Sequence, residues 1–224
     1  MIGLIAAMPQ EIDAITARME NLSTDKVADV EFRTGTLGNE KLVIALSGVG
    51  KVHAAIAATL MCQLYQPECL ISIGVAGGLR DEQEVGDLVI SNEAIQADFD
   101  TSFIDGPEGI GKVFKADAGL IDRAEKAAEK HGIPYRVGAV ATQDLFMAHP
   151  DDYAKLMKNF PQAACSEMEG GAVAQVADAF ELPFVILRTL SDVVVHEDNP
   201  VEFSTFSMAS SKKAASLLET FCSL

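Results

Sequence analysis

Short apolar runs alternate along the chain with longer amphipathic stretches. Ile2 to Ala6 is apolar throughout, the pattern of a strand buried on both faces. Pro9 falls at a helix start, and Glu11 to Leu22 reads as the helix that follows. Val30–Thr36 and Lys41–Ser47 flank Leu37-Gly38-Asn39-Glu40 and read as a hairpin. Val52, Ile56, Leu60 and Leu64 recur every four residues between Lys51 and Tyr65. That spacing predicts a helix with one buried stripe, ended by Pro67. Cys69–Ile73 is a further buried strand, closed by a glycine turn at Gly74-Val75-Ala76-Gly77-Gly78, and Asp87–Ser91 is a strand after the turn at Gly86. Ala116–His131 is helical, with Gly132 at its end. Then come a strand at Tyr135–Ala141, a short helix at Asp151–Asn159, a strand at Ala164–Glu169 and a small-residue helix at Gly170–Phe180. A strand at Pro183–Arg188 and a long helix from about Glu202 to Phe221 complete the chain. The alternation predicts an α/β fold: a three-layer domain with a mixed, largely parallel central sheet flanked by helices. No linker or repeat interrupts residues 1–224, so one domain is expected.

Composition narrows the function classes. At 224 residues and 49% hydrophobic content, the chain can bury one sizeable core. The formal net charge of -16 argues against nucleic acid, anionic membranes and polyphosphates as partners; its plain role is solubility. Cys62, Cys69, Cys165 and Cys222 form no C-x-x-C pair and sit among apolar residues, which fits free thiols in a reducing cytoplasm. His53, His131, His149 and His196 lack ligand spacing, so no metal site is expected. Met1 to Met8 is too short and unflanked for a signal peptide, and no run of about 18 apolar residues occurs to span a membrane.

Familiar phosphate-binding motifs fail. Gly48-Val49-Gly50 starts like a dinucleotide fingerprint, but His53 occupies the third glycine position. Gly50-Lys51 resembles a P-loop, but Val52 replaces the hydroxyl residue and Ala45 the first glycine. No G-x-S-x-G elbow occurs. Ser47–Lys51 is then either a tight strand-to-helix turn or a helix N-terminus facing a ligand.

Ligands of open α/β sheets bind beyond the carboxyl ends of strands. The residues found there are Met8-Pro9-Gln10-Glu11, Gly74–Gly78, Thr142–Met147, Glu167-Met168-Glu169 and Arg188–Asp192. Glu167 and Glu169, two apart, face the same way on an extended segment. They are either an exposed strand end or carboxylates that accept hydrogen bonds from vicinal hydroxyls. Asp192 is either a helix cap or partner of Arg188, or an acid tuned by burial to share a proton with a leaving group. Phe146 and Met147 either fill the core or form a stacking wall for a base.

Together these segments resemble the methylthioadenosine/S-adenosylhomocysteine nucleosidase family of the nucleoside phosphorylase superfamily. The carriers are IAAMPQEID, SGVGKVHAA, GVAGGL, VGDLVIS, ATQDLF, NFPQAACSEMEGGAVAQVA and PFVILRTLSDV, which span nearly the whole chain. The resemblance implies a cytoplasmic homodimer without metal or organic cofactor. It implies hydrolysis of the N-glycosidic bond of a 5′-thio-substituted adenosine to adenine and a ribose derivative. Related adenine nucleosidases, acting on aminodeoxyfutalosine or adenosine, are alternatives, as are a phosphorylase and a non-catalytic relative. By the same resemblance, Glu11 activates water and Asp192 serves N7 of adenine. Glu169, beside Met168, grips the ribose, with Glu167 and Arg188 nearby. Phe146 and Met147 meet the purine. Met8, Val49 and Phe203 line the 5′ pocket, and Ala76, Gly77 and Ser191 complete the substrate surface. Two features depart from the family pattern. Val75 replaces a serine, and Phe99–Val113, the segment that in relatives crosses the dimer interface, is shorter and lacks tyrosines.

Overall fold

The structure, a computed structural model, describes residues 1–147, 149–195 and 213–224. Its strands are β1 (Ile2–Ala6), β2 (Glu20–Val27), β3 (Val30–Leu37), β4 (Glu40–Leu46), β5 (Cys69–Gly78), β6 (Leu88–Asp100), β7 (Ile110–Lys115), β8 (Tyr135–Thr142), β9 (Ala163–Glu167) and β10 (Phe184–Val193). The helices are α1 (Pro9–Thr16), α2 (Lys51–Tyr65), α3 (Ser102–Asp105), α4 (Ala118–Lys130), α5 (Pro150–Asn159) and α6 (Gly170–Ala179), followed by a helical stretch over 213–221. None of the described helices is long and apolar enough to cross a membrane.

The sheet is mixed, as its sequence pattern predicts. β4, β1, β5 and β10 run parallel to their neighbours in that order, as do β6, β8 and β9 in theirs. Antiparallel pairs join the two sets: β10 with β6, and β9 with the last two residues of β5. The strands β5–β10–β6–β8–β9 therefore close a ring, from which β1, β4, β3 and β2 extend as an open sheet. β5 belongs to both parts. Its first half pairs with β1, and its end, Gly77 and Gly78, pairs with β9.

Helices cover both faces, which explains why the central strands read as unbroken apolar runs. Ile5 of β1 packs with Ala54, Ala57, Ala58 and Met61 of α2 and with Val173 and Ala177 of α6. Ile2, Leu4 and Ala6 pack oppositely, with Ile12 and Ile15 of α1, Ala124 and Ala127 of α4, and Leu217, Leu218 and Phe221 near the C-terminus. Arg123 pins that terminal stretch by donating to the Phe221 carbonyl at 2.7 Å while lying over its ring. All four cysteines are free and buried, and burial pushes the Cys62 and Cys69 thiols up to about 11.

Four expectations need correction. α1 stops at Thr16, and Glu20–Val27 turns back as an almost wholly exposed strand. The glycine-rich segment from Gly74 is not a turn, because β5 runs through it to Gly78. β6 and β10 extend well beyond their predicted ends, and β7 and α3 were not expected. In α2 the buried face is the alanine side. Val52, Ile56 and Leu64 point outward, 68%, 45% and 53% exposed. Of the expected terminal helix, the part before residue 213 lies outside the described residues.

Candidate active site

The carboxyl ends of β1, β5, β9 and β10 converge on one cavity of about 800 Å³, its open mouth included. Each strand end delivers a group there. After β1, the backbone passes Ala7 and Met8 into α1, whose third residue is Glu11. The Glu11 carboxylate turns back to accept the Ala7 and Met8 backbone N–H groups, both at 2.9 Å. These donors at the helix start orient it. Gly74 makes the position possible: a Cβ there would sit 2.7 Å from Glu11 Oε1 and 3.3 Å from Arg188 Nη1. Burial raises the Glu11 pKa, and the Arg188 charge and the backbone donors only partly offset it.

Arg188, on β10, is 1% exposed and lies beneath the cavity. It donates to Glu167 at 2.6 Å and to Ser72 Oγ at 3.0 Å, and its guanidinium lies 3.7 Å from Glu169. Burial opposes its charge, but Glu167, Glu169 and Glu11 together hold it firmly protonated.

The two glutamates of the Glu167-Met168-Glu169 segment do share one side, but their environments differ. Glu167 is saturated. It takes the Arg188 guanidinium, the Thr142 hydroxyl, and the backbone N–H groups of Glu169 and Gly170 at 3.0 and 2.7 Å. It thus anchors the N-terminus of α6. Among the described residues, Glu169 accepts a hydrogen bond at one oxygen, from the Gly50 N–H at 2.8 Å. Its pKa is pushed up to about 7 by burial and by the Glu167 charge. Glu169 is therefore the carboxylate with capacity for ligand hydroxyls.

Asp192 lies on β10, not at a helix cap, and its partner is the Ser191 hydroxyl at 2.7 Å rather than Arg188. Burial raises its pKa, and the Ser191 hydrogen bond opposes that. Gly77, facing it across the β5–β10 ladder, leaves room for its carboxylate.

The remaining wall is apolar. Met8, Val49, Val75, Ala76, Gly77, Phe146, Met147 and Met168 line it. Phe146 is 71% exposed, so it fills no core. Of the expected site residues, all but two touch the cavity. Arg188 acts from beneath it, and Phe203 lies outside the described residues. Ala7, Leu145, Ser166 and Val194 also line the cavity and were missed. Ala7, Leu145 and Val194 are apolar neighbours of strand ends with no chemical signal of their own, and Ser166 is a small residue within the strand β9. Among the described residues that line it, none is Lys, Arg or His.

Comparison with known proteins gives consistent relatives. Residues 1–223 match the model of the phosphorylase superfamily. The chain is 39% identical over 221 residues to a 5′-methylthioadenosine/S-adenosylhomocysteine nucleosidase of Halalkalibacterium halodurans, covering 97% of this chain and 95% of that one. The Neisseria meningitidis enzyme of that name, solved with methylthio-immucillin-A, superposes with a TM-score of 0.92 at 31% identity, covering 99% and 98% of the two chains. The Colwellia psychrerythraea enzyme, solved with adenine, gives a TM-score of 0.92 at 30% identity over 99% and 93%.

Proposed function

The chain belongs to the methylthioadenosine/S-adenosylhomocysteine nucleosidase family of the phosphorylase superfamily, and from that premise we propose how its cavity works. The protein is an N-glycosyl hydrolase that cleaves 5′-methylthioadenosine and S-adenosylhomocysteine to adenine and a 5-thio-substituted ribose. The observation that carries the assignment of roles is that Glu11, Glu169 and Asp192 line one cavity together with the largely exposed Phe146.

Glu169 accepts hydrogen bonds from the ribose hydroxyls, and Phe146 stacks on the purine. Protonated Asp192 donates to N7 as the C1′–N9 bond breaks and its electron pair leaves with the base. Glu11 takes a proton from water, whose oxygen bonds to C1′. Arg188 holds Glu167 and Glu169 together and favours the ionised form of Glu11. Carboxylates beside the sugar stabilise the positive charge that develops on it. Met8 and Val49, with Phe203, receive the 5′ substituent.

Water rather than phosphate is the nucleophile, because the described residues of the cavity wall include carboxylates and no Lys, Arg or His. Two unit charges about 4 Å apart repel by roughly 4 kcal/mol at an effective dielectric near 20. Hydrolysis in phosphate-free buffer, followed by product analysis, tests this. A strict phosphate requirement with a ribose-1-phosphate product would replace the assignment with phosphorolysis. Competition among methylthioadenosine, S-adenosylhomocysteine, adenosine and inosine fixes the preferred 5′ group.

Residues 1–224 act as one domain, in the cytoplasm, where its free buried thiols stay reduced. Two copies associate. Val52 and Ile56 of α2 are exposed, and Phe103 and Ile104 of α3 are 103% and 82% exposed. Large apolar side chains left this exposed are the kind of surface a second copy would cover.

A further inference from the structure

The loop that carries Phe146 has little packing to hold it: Leu145 and Phe146 are 45% and 71% exposed. Its attachment begins one residue earlier. Asp144 Oδ1 accepts the Lys51 backbone N–H at 2.8 Å, across 93 residues of sequence. Lys51 opens α2, where Gly50, the residue before it, has no side chain to cap the helix. Asp144 therefore supplies from another element the acceptor that an N-cap residue normally supplies. Its own backbone N–H donates to Asp98 Oδ2 at 2.9 Å, and the other Asp98 oxygen meets Lys51 Nζ at 2.5 Å. Three residues from the end of β6, the start of α2 and the loop after β8 thus close a ring of contacts.

The same helix end also holds the sugar carboxylate, because the Gly50 N–H donates to Glu169. Gly50 has φ +98, and a Cβ on it would lie 3.2 Å from Asp144 Oδ1. Glycine is needed there both for its backbone angle and for the approach of Asp144.

We propose that Asp144, Lys51 and Asp98 are positioning residues that fix the purine-stacking loop against the start of α2, and so set Phe146 in register with Glu169. The inference rests on the roles given above to Phe146 and Glu169. A misplaced stacking wall weakens adenine binding, while the proton-transfer groups Asp192 and Glu11 stay where they are. The signature is a KM effect without a matching kcat effect.

The test measures the adenine Kd by calorimetry, and kcat and KM for methylthioadenosine, in the wild type and in Asp144→Ala, Asp144→Asn, Lys51→Met and Asp98→Ala. Asp144→Ala should raise both Kd and KM about tenfold with kcat within about threefold, the scale of one lost charge-assisted hydrogen bond. Asp144→Asn keeps an oxygen for the Lys51 N–H and should recover most of the loss. Lys51→Met and Asp98→Ala should each give smaller shifts that are not additive with each other. Should Asp144→Ala fail to fold, these two surface variants carry the test. Kd and KM within about twofold of wild type in the folded variants would overturn the proposal, as would equal losses in Asp144→Ala and Asp144→Asn. A wild type that neither binds adenine nor hydrolyses the nucleoside would instead overturn the functional reading itself.

Discussion

Arg188 and Glu167 form an ion pair at 2.6 Å with both side chains 1% exposed. Breaking such a pair leaves a buried charge alone and costs about 3–5 kcal/mol. Arg188→Met should lose stability on that scale in urea denaturation and also lose activity, because Glu169 and Glu11 lose their counter-charge. A stable, active Arg188→Met protein would show that the pair does neither job.

Glu169 has a folded-state pKa of about 7 against an ordinary 4.5. The native protein therefore binds this proton more tightly than the unfolded chain does. The stabilisation is fully present below about 4.5 and is lost as pH rises through about 7. Glu169→Gln keeps the acceptor for Gly50 but never ionises. Its stability relative to wild type should climb across that window, by up to about 3 kcal/mol at pH 8, while turnover collapses. Thermal unfolding at pH 5 and pH 8 checks this, and an unchanging difference between the two would count against it.

Asp192→Asn should cut kcat by about 10²–10⁴ with a much smaller change in KM, the pattern of a lost proton donor. The same residue should make inosine analogues poorer substrates than adenosine analogues, by about tenfold to a few hundredfold, because a 6-oxo group leaves the ionised carboxylate unpaired. Near-normal turnover in Asp192→Asn, or equal use of the two bases, would remove it from this role.

Phe103→Asp with Ile104→Asp should convert a dimer into a monomer at micromolar concentration, read by light scattering. Both side chains are exposed in the single chain, so the fold should survive the change. A wild type of monomer mass would dispose of the expected interface.

The strand ends were readable because the central strands are short, apolar and closed by polar residues. That is how Glu11, Glu169 and Asp192 stood out before any fold was known. Other features escaped for identifiable reasons. β2 is an exposed edge, so it shows no alternation of buried and open positions. Ile12, Ile15, Met19 and Leu22 fall at helical spacing, so the sequence pattern by itself gives no stop at Thr16, where α1 ends. In α2, the four-residue repeat correctly gave the helix but chose the wrong face, since periodicity does not distinguish a core from a second surface. Gly74–Gly78 read as a turn because glycines usually break strands. Here they thin the strand where Glu11, Arg188 and Asp192 approach it.

Glu11, Glu167 and Glu169 act on the Arg188 guanidinium, and Asp192 lines the same cavity without it. Among the described residues that line it, the cavity holds carboxylates and no Lys, Arg or His, and burial raises the pKa values of Glu11, Glu169 and Asp192, with the Glu167 charge adding to the rise at Glu169. A nucleoside is neutral and cannot balance these carboxylates, whereas a sugar ring losing its base turns cationic and does. The protein is thus electrically complete only while the bond is breaking. A ligand with a fixed positive charge in place of the sugar should then gain affinity as pH rises through the carboxylate titrations, more steeply than a neutral ligand of the same shape.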